Sequence, residues 1–297
     1  MTRRRIWIIA AALLLVVLGL VIRNQVKVQR GRQARRAEME QRHTATEVPP
    51  EVRQYRQALF DMLQPVGLSN CELKRFGERN DGGYLMCANL LSGTQAGYSY
   101  GISGYDKWGC DISRAANVPV HQYDCFNTDR PWCWRGTTIF HEECVGAAPE
   151  TREGRLFDSV KNQFAKNGDS GKRIVLKIDV EGAEWDTFLA MPDETFAQID
   201  QMAVEFHFEE GSESGWVQDE RHPRAVRRLK QFFEIAHIHF NNWSCVGDLA
   251  PFPAFAYEVL FVNKRLAVVD PTRRTTGLHS QDSRNDPSRP DCQPSGG

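Results

Sequence analysis

A short apolar run that stops at acids and a glycine constrains the fold of this chain more than any other feature. Ile174–Ile178 is rich in β-branched and aliphatic residues, as is typical of a strand buried inside a parallel sheet. Asp179, Glu181 and Glu184 follow it directly, around Gly182. Ligands of open α/β sheets bind outside the carboxyl ends of the strands, so the run predicts a binding edge here. The alternative is that Asp179 and Glu181 only cap the next helix, whose first turn favours negative charge.

Short apolar runs alternate with helical patterns along the chain, and this alternation predicts an α/β fold. Seven segments are predicted to be strands, the last two as a closing antiparallel pair: Gln95–Tyr100, Pro119–Tyr123, Thr137–Phe140, Ile174–Ile178, Gln201–Phe208, Ile235–Phe240 and Phe255–Val262. Apolar residues of 223–233 recur at helical spacing. With 297 residues, 41% of them apolar, we expect one substantial folded unit, at residues 52–270.

Both ends of the chain have a different composition. Residues 1–22 begin with three arginines and continue with seventeen uncharged, mostly apolar residues, Ile6–Ile22, which predicts an N-terminal transmembrane anchor. A cleaved signal peptide is the alternative, although the run does not end in a small-x-small cleavage site. Residues 23–51 are predicted to be a charged stem, and residues 271–297, which have almost nothing to bury, a disordered tail.

Charge and cysteine content limit the cellular setting. The formal net charge of −1 gives no reason to expect a nucleic-acid partner. Eight cysteines behind a hydrophobic N-terminal segment indicate a lumenal (Golgi or endoplasmic reticulum) or extracellular domain with some disulfides. Basic residues flank the predicted anchor on both sides, so the sequence leaves the membrane orientation open.

A glycine turn after the first predicted strand is typical of a cofactor site. Gly101, Ile102, Ser103 and Gly104 form a loop in which the backbone can approach a bound molecule closely. Asp124 ends the second strand 23 residues after Gly101, where nucleotide-binding α/β folds place an acid that binds ribose hydroxyls. Order and spacing together predict cofactor binding, although each element alone is more often structural.

Several of these segments also resemble a known family. The run from Leu176 to Glu184 resembles the motif of FkbM-type S-adenosylmethionine-dependent methyltransferases. A segment ending in Asp81-Gly82-Gly83-Tyr84, together with shorter matches between Leu73 and Lys264, is similar to the methyltransferase-like protein 24 branch. The resemblance implies a Rossmann-like, seven-stranded class I methyltransferase fold. It also implies that S-adenosyl-L-methionine lies over Gly101–Gly104 with its ribose on Asp124.

Methyl transfer to a hydroxyl would require a base at the strand edge. We expect Asp179 or His207 to be that base and Glu181 to orient a small-molecule or glycan-like acceptor. Glu205 alternates with His207 on one face of its strand and is expected on the acceptor side, although a half-exposed edge strand would show the same pattern. His239 and Asn241 belong to a polar stretch that forms either a wall of the acceptor site or an ordinary loop.

Two other functions remain open at the level of sequence. A basic start, one anchor, a stem and a cysteine-bearing domain are also the layout of a Golgi-type metal-dependent glycosyltransferase, and Asp179-Val180-Glu181 resembles an acidic metal-binding pair. The second of these is a non-catalytic interaction module on the same scaffold, because a fold does not determine a function.

Overall fold

A seven-stranded, mostly parallel sheet forms the centre of the fold. The computed structural model describes residues 48–208, 219–246, 249–273, 275 and 278–292. The chain divides into two units, Met1–Val48 and Pro49–Gly297, and the sheet belongs to the second. Numbered along the chain, its strands lie in the order β11 (Phe233–Phe240), β12 (Ala256–Asn263), β10 (Ile199–His207), β9 (Ile174–Ile178), β3 (Ala96–Tyr100), β4 (Pro119–Tyr123) and β5 (Thr137–His141).

The direction of the strands makes the sheet compatible with a Rossmann-like fold. β10, β9, β3, β4 and β5 run parallel to one another, and β12 is antiparallel to both of its neighbours. The seven predicted strands are confirmed, including the closing antiparallel pair, and their bounds differ from the predicted ones by at most two residues at either end. The predicted α/β class is therefore confirmed.

Helices cover the sheet. Every residue of β3, β9 and β12 is buried, and because successive side chains of a strand point to opposite faces, both faces of the sheet are covered there. The described helices are α1 (Pro50–Met62), α2 (Lys107–Ala116), α3 (Val160–Lys166), α4 (Glu184–Ala190), α5 (Asp193–Gln198) and α6 (Arg221–Phe232). Helix α2 packs on β3, β4 and β5, whereas α4 and α1 pack on α6.

Local sequence explains where α2 and α3 begin and where α2 ends. Asp106 caps α2 by accepting a hydrogen bond from the Gly109 N–H at 2.8 Å, and Ser159 caps α3 by accepting one from Asn162 at 3.3 Å. Asn117 ends α2 in a left-handed conformation, with φ of 56°. The end of α2 at Asn117 fixes where the chain turns into β4.

Two smaller sheets were not expected from the sequence. β1 (Leu73–Gly77) and β2 (Gly83–Cys87) form an antiparallel hairpin. β6 (Cys144–Val145), β8 (Arg155–Asp158) and β7 (Glu150–Arg152) form a three-stranded sheet after β5. β6 and β7, with two and three residues, are too short to give a periodic signal in a sequence.

All eight cysteines are paired. The four disulfides are Cys71–Cys87, Cys110–Cys133, Cys125–Cys144 and Cys245–Cys292. Four bridges are consistent with the oxidising lumenal or extracellular compartment that the sequence indicated.

The N-terminal predictions fall outside the described residues. The predicted anchor at residues 1–22 and nearly all of the predicted stem precede residue 48, where the description begins. In the part of the chain that is described, no helix is both long and apolar enough to cross a bilayer.

The C-terminal segment differs from its expected disorder. Residues 278–292 pack on the folded unit, where Asn285 and Asp286 are buried and Cys292 is bonded to Cys245. The Asn242 side chain donates to the carbonyl of Asp286 at 2.9 Å. Polar contacts and a disulfide hold this segment, and neither depends on the apolar residues that it lacks.

Candidate functional site

The residues predicted for the site converge at the carboxyl edge of the sheet. Tyr100 is paired with Ile178 of β9 on one side and with Tyr123 of β4 on the other. The next residues along these strands are Gly101, Asp179 and Asp124. The three strand ends therefore lie side by side, with that of β10 beyond β9.

Asp179, Glu205 and His207 form a cluster at the ends of β9 and β10. The Tyr84 hydroxyl donates to Asp179 Oδ2 at 3.0 Å and contacts Glu205 Oε2 at 3.2 Å. The Nε2 atom of His207 lies 3.8 Å from Asp179 Oδ1 and 3.8 Å from Glu205 Oε1. One ligand atom from each of the three residues lies within 4.8 Å of the other two.

The loop after β9 explains why acids and a glycine follow the strand. Glu181 and Gly182 both have left-handed backbone conformations, with φ of 55° and 101°. The fully buried Glu184 carboxylate accepts from the Gly182 N–H at 2.9 Å and from the His207 N–H at 2.6 Å. Glu184 thereby connects the loop after β9 to the end of β10. Glu181 is exposed, and its Oε2 lies 3.8 Å from Nε2 of His207.

A buried lysine contributes charge beside the cluster. The Lys177 ammonium donates to the Gly101 carbonyl at 2.9 Å and lies 3.3 Å from Asp179 Oδ2. It also lies 5.5 Å from the centre of the Tyr84 ring. Lys177 therefore connects the end of β3 to the carboxylate at the end of β9.

Burial and neighbouring charges shift the pKa values of the cluster in different directions. Burial, with Asp179 nearby, raises the pKa of the Glu205 carboxyl well above its ordinary value. Burial alone would raise the pKa of Asp179 as well, but Lys177 and His207 outweigh it and the pKa is lowered. Burial alone would lower the pKa of His207, but the Glu184 carboxylate and the other nearby acids raise it well above its ordinary value.

The glycine turn and Asp124 form one connected loop structure. A Cβ at Gly101 would lie 1.7 Å from the Asp179 carbonyl oxygen, and the φ of Gly101 is +72°. Asp124 accepts hydrogen bonds from the N–H groups of Ser103 at 2.7 Å, Phe126 at 2.8 Å and Asn127 at 3.0 Å. Position 101 therefore requires glycine, because the Asp179 backbone leaves no space for a Cβ. Asp124 orders the turn that was predicted to hold the cofactor.

Gly104, Ile102 and Ser103 have different surroundings within that turn. Gly104 packs against the Asn127 side chain, which would lie 2.6 Å from an added Cβ. Ile102 is buried, whereas Ser103 is exposed and has a φ of 48°. Only the exposed part of the turn is open to a ligand.

Of the two polar residues predicted beyond β10, one contacts the cluster directly. Asn241 donates from Nδ2 to Glu205 Oε1 at 2.7 Å. His239 lies farther along the sheet, where its Nδ1 is 3.3 Å from Glu258 Oε2. Glu258 is paired in register with Glu205, so a row of polar side chains continues across β12 to β11.

The sequence placed Glu184 at the predicted binding edge without a defined role, and it assigned no site position to four further residues that lie in or beside the cluster: Tyr84, Lys177, Glu258 and Asn285. Lys177 could have been found as a charged residue inside an otherwise apolar strand. Asn285, which donates to Glu258 at 2.7 Å, comes from the C-terminal segment and carries no local signal.

No family model, curated protein or solved structure matches this chain. The role of the site is therefore inferred from its own geometry.

Proposed function

We propose that the protein is an S-adenosylmethionine-dependent methyltransferase that methylates a hydroxyl oxygen. The observation that carries this proposal is the convergence of Gly101, Asp124 and Asp179 at one edge of the sheet. The parallel strands support it, because ligands of open α/β sheets bind outside the carboxyl ends of such strands.

The loop residues fit the cofactor. A carboxylate offers about four acceptor positions, and backbone N–H groups occupy three of those on Asp124, so one position on Oδ2 remains for a ribose hydroxyl. The neighbouring residue Phe126 is 71% exposed, and its ring, which has the Arg155 guanidinium 4.4 Å from its centre, offers aromatic surface for a base beside the turn. Gly101–Gly104 and Asp124 would therefore hold the nucleoside, as the resemblance implied.

When bound, the sulfonium cofactor supplies a methyl carbon that bonds to the acceptor oxygen as the carbon–sulfur bond breaks, with the electron pair staying on sulfur. The protein has to align the acceptor and receive the hydroxyl proton. Asp179 is the candidate to receive that proton, because its lowered pKa keeps the carboxylate ionised, whereas the raised pKa of His207 disfavours the neutral ring that a base requires. Glu181, which is exposed beside them, is positioned to orient the acceptor.

A binding experiment tests the cofactor assignment. Full-length protein in detergent should bind tritiated S-adenosylmethionine saturably, and Asp124→Asn should weaken binding about tenfold or more, because a charge-assisted hydrogen bond is worth about 1.5–3 kcal/mol. Asp129→Asn, at an exposed position of the same loop, is the matched control and should bind like the wild type.

The outcomes separate the proposal from its rivals. Absence of binding to folded wild-type protein would overturn the methyltransferase assignment, and so would equal binding by Asp124→Asn. Manganese-dependent protection by a nucleotide sugar, without protection by S-adenosylmethionine, would instead favour a glycosyltransferase. A non-catalytic module would be stabilised thermally by neither ligand.

A further inference from the structure

We infer that Asp179, Glu205 and His207 form a binding site for one divalent cation, and that this cation receives the acceptor hydroxyl. The second half of this inference rests on the proposed function. The first half stands on the arrangement of the three side chains alone.

The spacing of the three side chains suits a shared ion better than it suits direct contact. His207 Nε2 lies 3.8 Å from Asp179 Oδ1 and from Glu205 Oε1, which is too long for a hydrogen bond. Two ligand atoms that each bind a cation at about 2.1 Å lie roughly 3–4 Å apart. One cation among the three atoms would satisfy both separations with only small side-chain adjustments.

The surrounding residues hold Asp179 by the oxygen that does not face His207, and they hold Glu205 by both of its oxygens. Tyr84 contacts Oδ2 of Asp179 and Oε2 of Glu205, while Lys177 also lies on the Oδ2 side of Asp179. Asn241 donates to Oε1 of Glu205 and fixes its orientation. Hydrogen bonds of this kind, made by groups behind the ligands, orient the ligands of metal sites in proteins.

The His207 ring supplies a second observation. Its buried Nδ1 faces the Glu184 carboxylate, whose Oε1 lies 3.4 Å away, so Nε2 is the ring nitrogen on the side of the cluster. The imidazole side chain is 12% exposed, and Nε2 faces the two carboxylates. The His207 ring is therefore enclosed, and its Nε2 lies 3.8 Å from the Asp179 and Glu205 carboxylates. This is the position that a metal-binding imidazole would occupy.

The donor set indicates the class of cation. Two carboxylate oxygens favour Mg²⁺ or Mn²⁺, and an imidazole nitrogen favours later first-row metals, so Mn²⁺ suits the mixed set. Only three protein ligands are present in the cluster, which leaves positions for an acceptor oxygen and water. We therefore expect the acceptor to be a hydroxyl compound that binds Mn²⁺ through the oxygen that is methylated.

Cation binding changes which residue can act as the base. Asp179 and His207 cannot serve as the base while they bind the cation. Glu181 has an exposed carboxylate 3.8 Å from His207 Nε2 and becomes the nearest group able to accept the hydroxyl proton. Glu181→Gln should then lower the turnover rate without weakening Mn²⁺ binding.

The test is a titration of the full-length, chelator-treated protein with Mn²⁺, in which free Mn²⁺ is measured by electron paramagnetic resonance without cofactor. We expect one bound equivalent, and we expect His207→Gln and Glu205→Gln each to weaken binding roughly tenfold or more. His141→Gln, the same substitution at the end of β5, is the matched control and should bind like the wild type. Circular dichroism of each variant verifies that it folds.

Two results would overturn the site: no stoichiometric binding by the wild type, or equal binding by both folded cluster variants. Binding of tritiated S-adenosylmethionine to the same metal-free preparation is measured in parallel. Cofactor binding without Mn²⁺ binding removes the cation site and leaves the proposed function. Mn²⁺ binding without cofactor binding keeps the site and removes the methyltransferase assignment.

Discussion

At the scale of single residues, the motif after β9 combines chemical and architectural roles. Asp179 enters the cluster, Gly182 makes the left-handed turn, and Glu184 bonds to backbone on both sides of the site. Capping of helix α4, the alternative raised for these acids, does not account for them, because no side chain caps the start of that helix. The acids organise two strand ends instead.

Gly101 tests how tightly those strand ends are packed. We expect Gly101→Ala to lower the free energy of unfolding by about 3 kcal/mol or more, because the new methyl group would meet the Asp179 carbonyl and the backbone has a positive φ. Gly154→Ala is the matched control, with a φ of +77° and no atom within 4 Å of the added Cβ. It should cost only about 1 kcal/mol. Urea denaturation measures both, and equal losses would contradict the close approach.

The sequence predicted those site residues that lie at strand ends. Asp179, Asp124 and His207 could be placed because period and polarity mark where a strand stops. Tyr84 could not, since its hydroxyl reaches Asp179 from a hairpin that lies 95 residues earlier in the chain. Contacts of this kind depend on tertiary packing and leave no periodic signal.

At the scale of elements, the strands were easier to predict than the contacts made by the helices that pack around the sheet. Helix α6 was expected at residues 223–233 and begins at Arg221, which brings His222 into its first turn. The His222 ring packs 4.3 Å from the Trp185 ring of α4 and 5.3 Å from the Phe208 ring. An apolar pattern locates such a helix, but it does not reveal that a histidine in its first turn is buried.

This enclosed histidine predicts a loss of stability in acid. Burial lowers the pKa of His222 to about 4, against 6.5 in the unfolded chain. The folded state therefore favours the neutral ring, and this contribution is present above pH 6.5 and lost as the pH falls toward about 4. Between pH 7 and pH 5 the loss amounts to about 2 kcal/mol from this residue.

The measurement compares the wild type with His222→Phe, which keeps a ring against Trp185 but cannot take up a proton. Urea unfolding at pH 7 and pH 5 should show a loss that is smaller by about 2 kcal/mol in the variant. Other groups contribute equally to both proteins and cancel in the difference. An equal loss in both would mean that His222 is not enclosed as described.

At the scale of the whole molecule, disulfides fix segments that the hydrophobic core does not hold. The seven strands could be predicted from the apolar pattern of the sequence. The C-terminal segment, which is poor in apolar residues, was predicted to be disordered. It is held because Cys292 is bonded to Cys245 and because Asn285 and Asp286 find polar partners on the folded unit. Composition indicates how much apolar surface a segment can bury. It does not indicate which hydrogen bonds or disulfides the segment forms with the rest of the fold.

Removal of the last disulfide should therefore affect stability and local order together. The bridge closes a separation of 47 residues, for which the chain-entropy model gives a stabilisation of about 4 kcal/mol. In Cys245→Ala/Cys292→Ala we expect a loss of up to about that size and faster hydrogen exchange in residues 285–292. Cys110→Ala/Cys133→Ala, which opens a separation of 23 residues, should cost about 3 kcal/mol but leave exchange in that segment unchanged. Unchanged exchange in the first variant would mean that Asn285 and Asp286 hold the segment without the covalent bond, and the segment would then belong to the core of the fold.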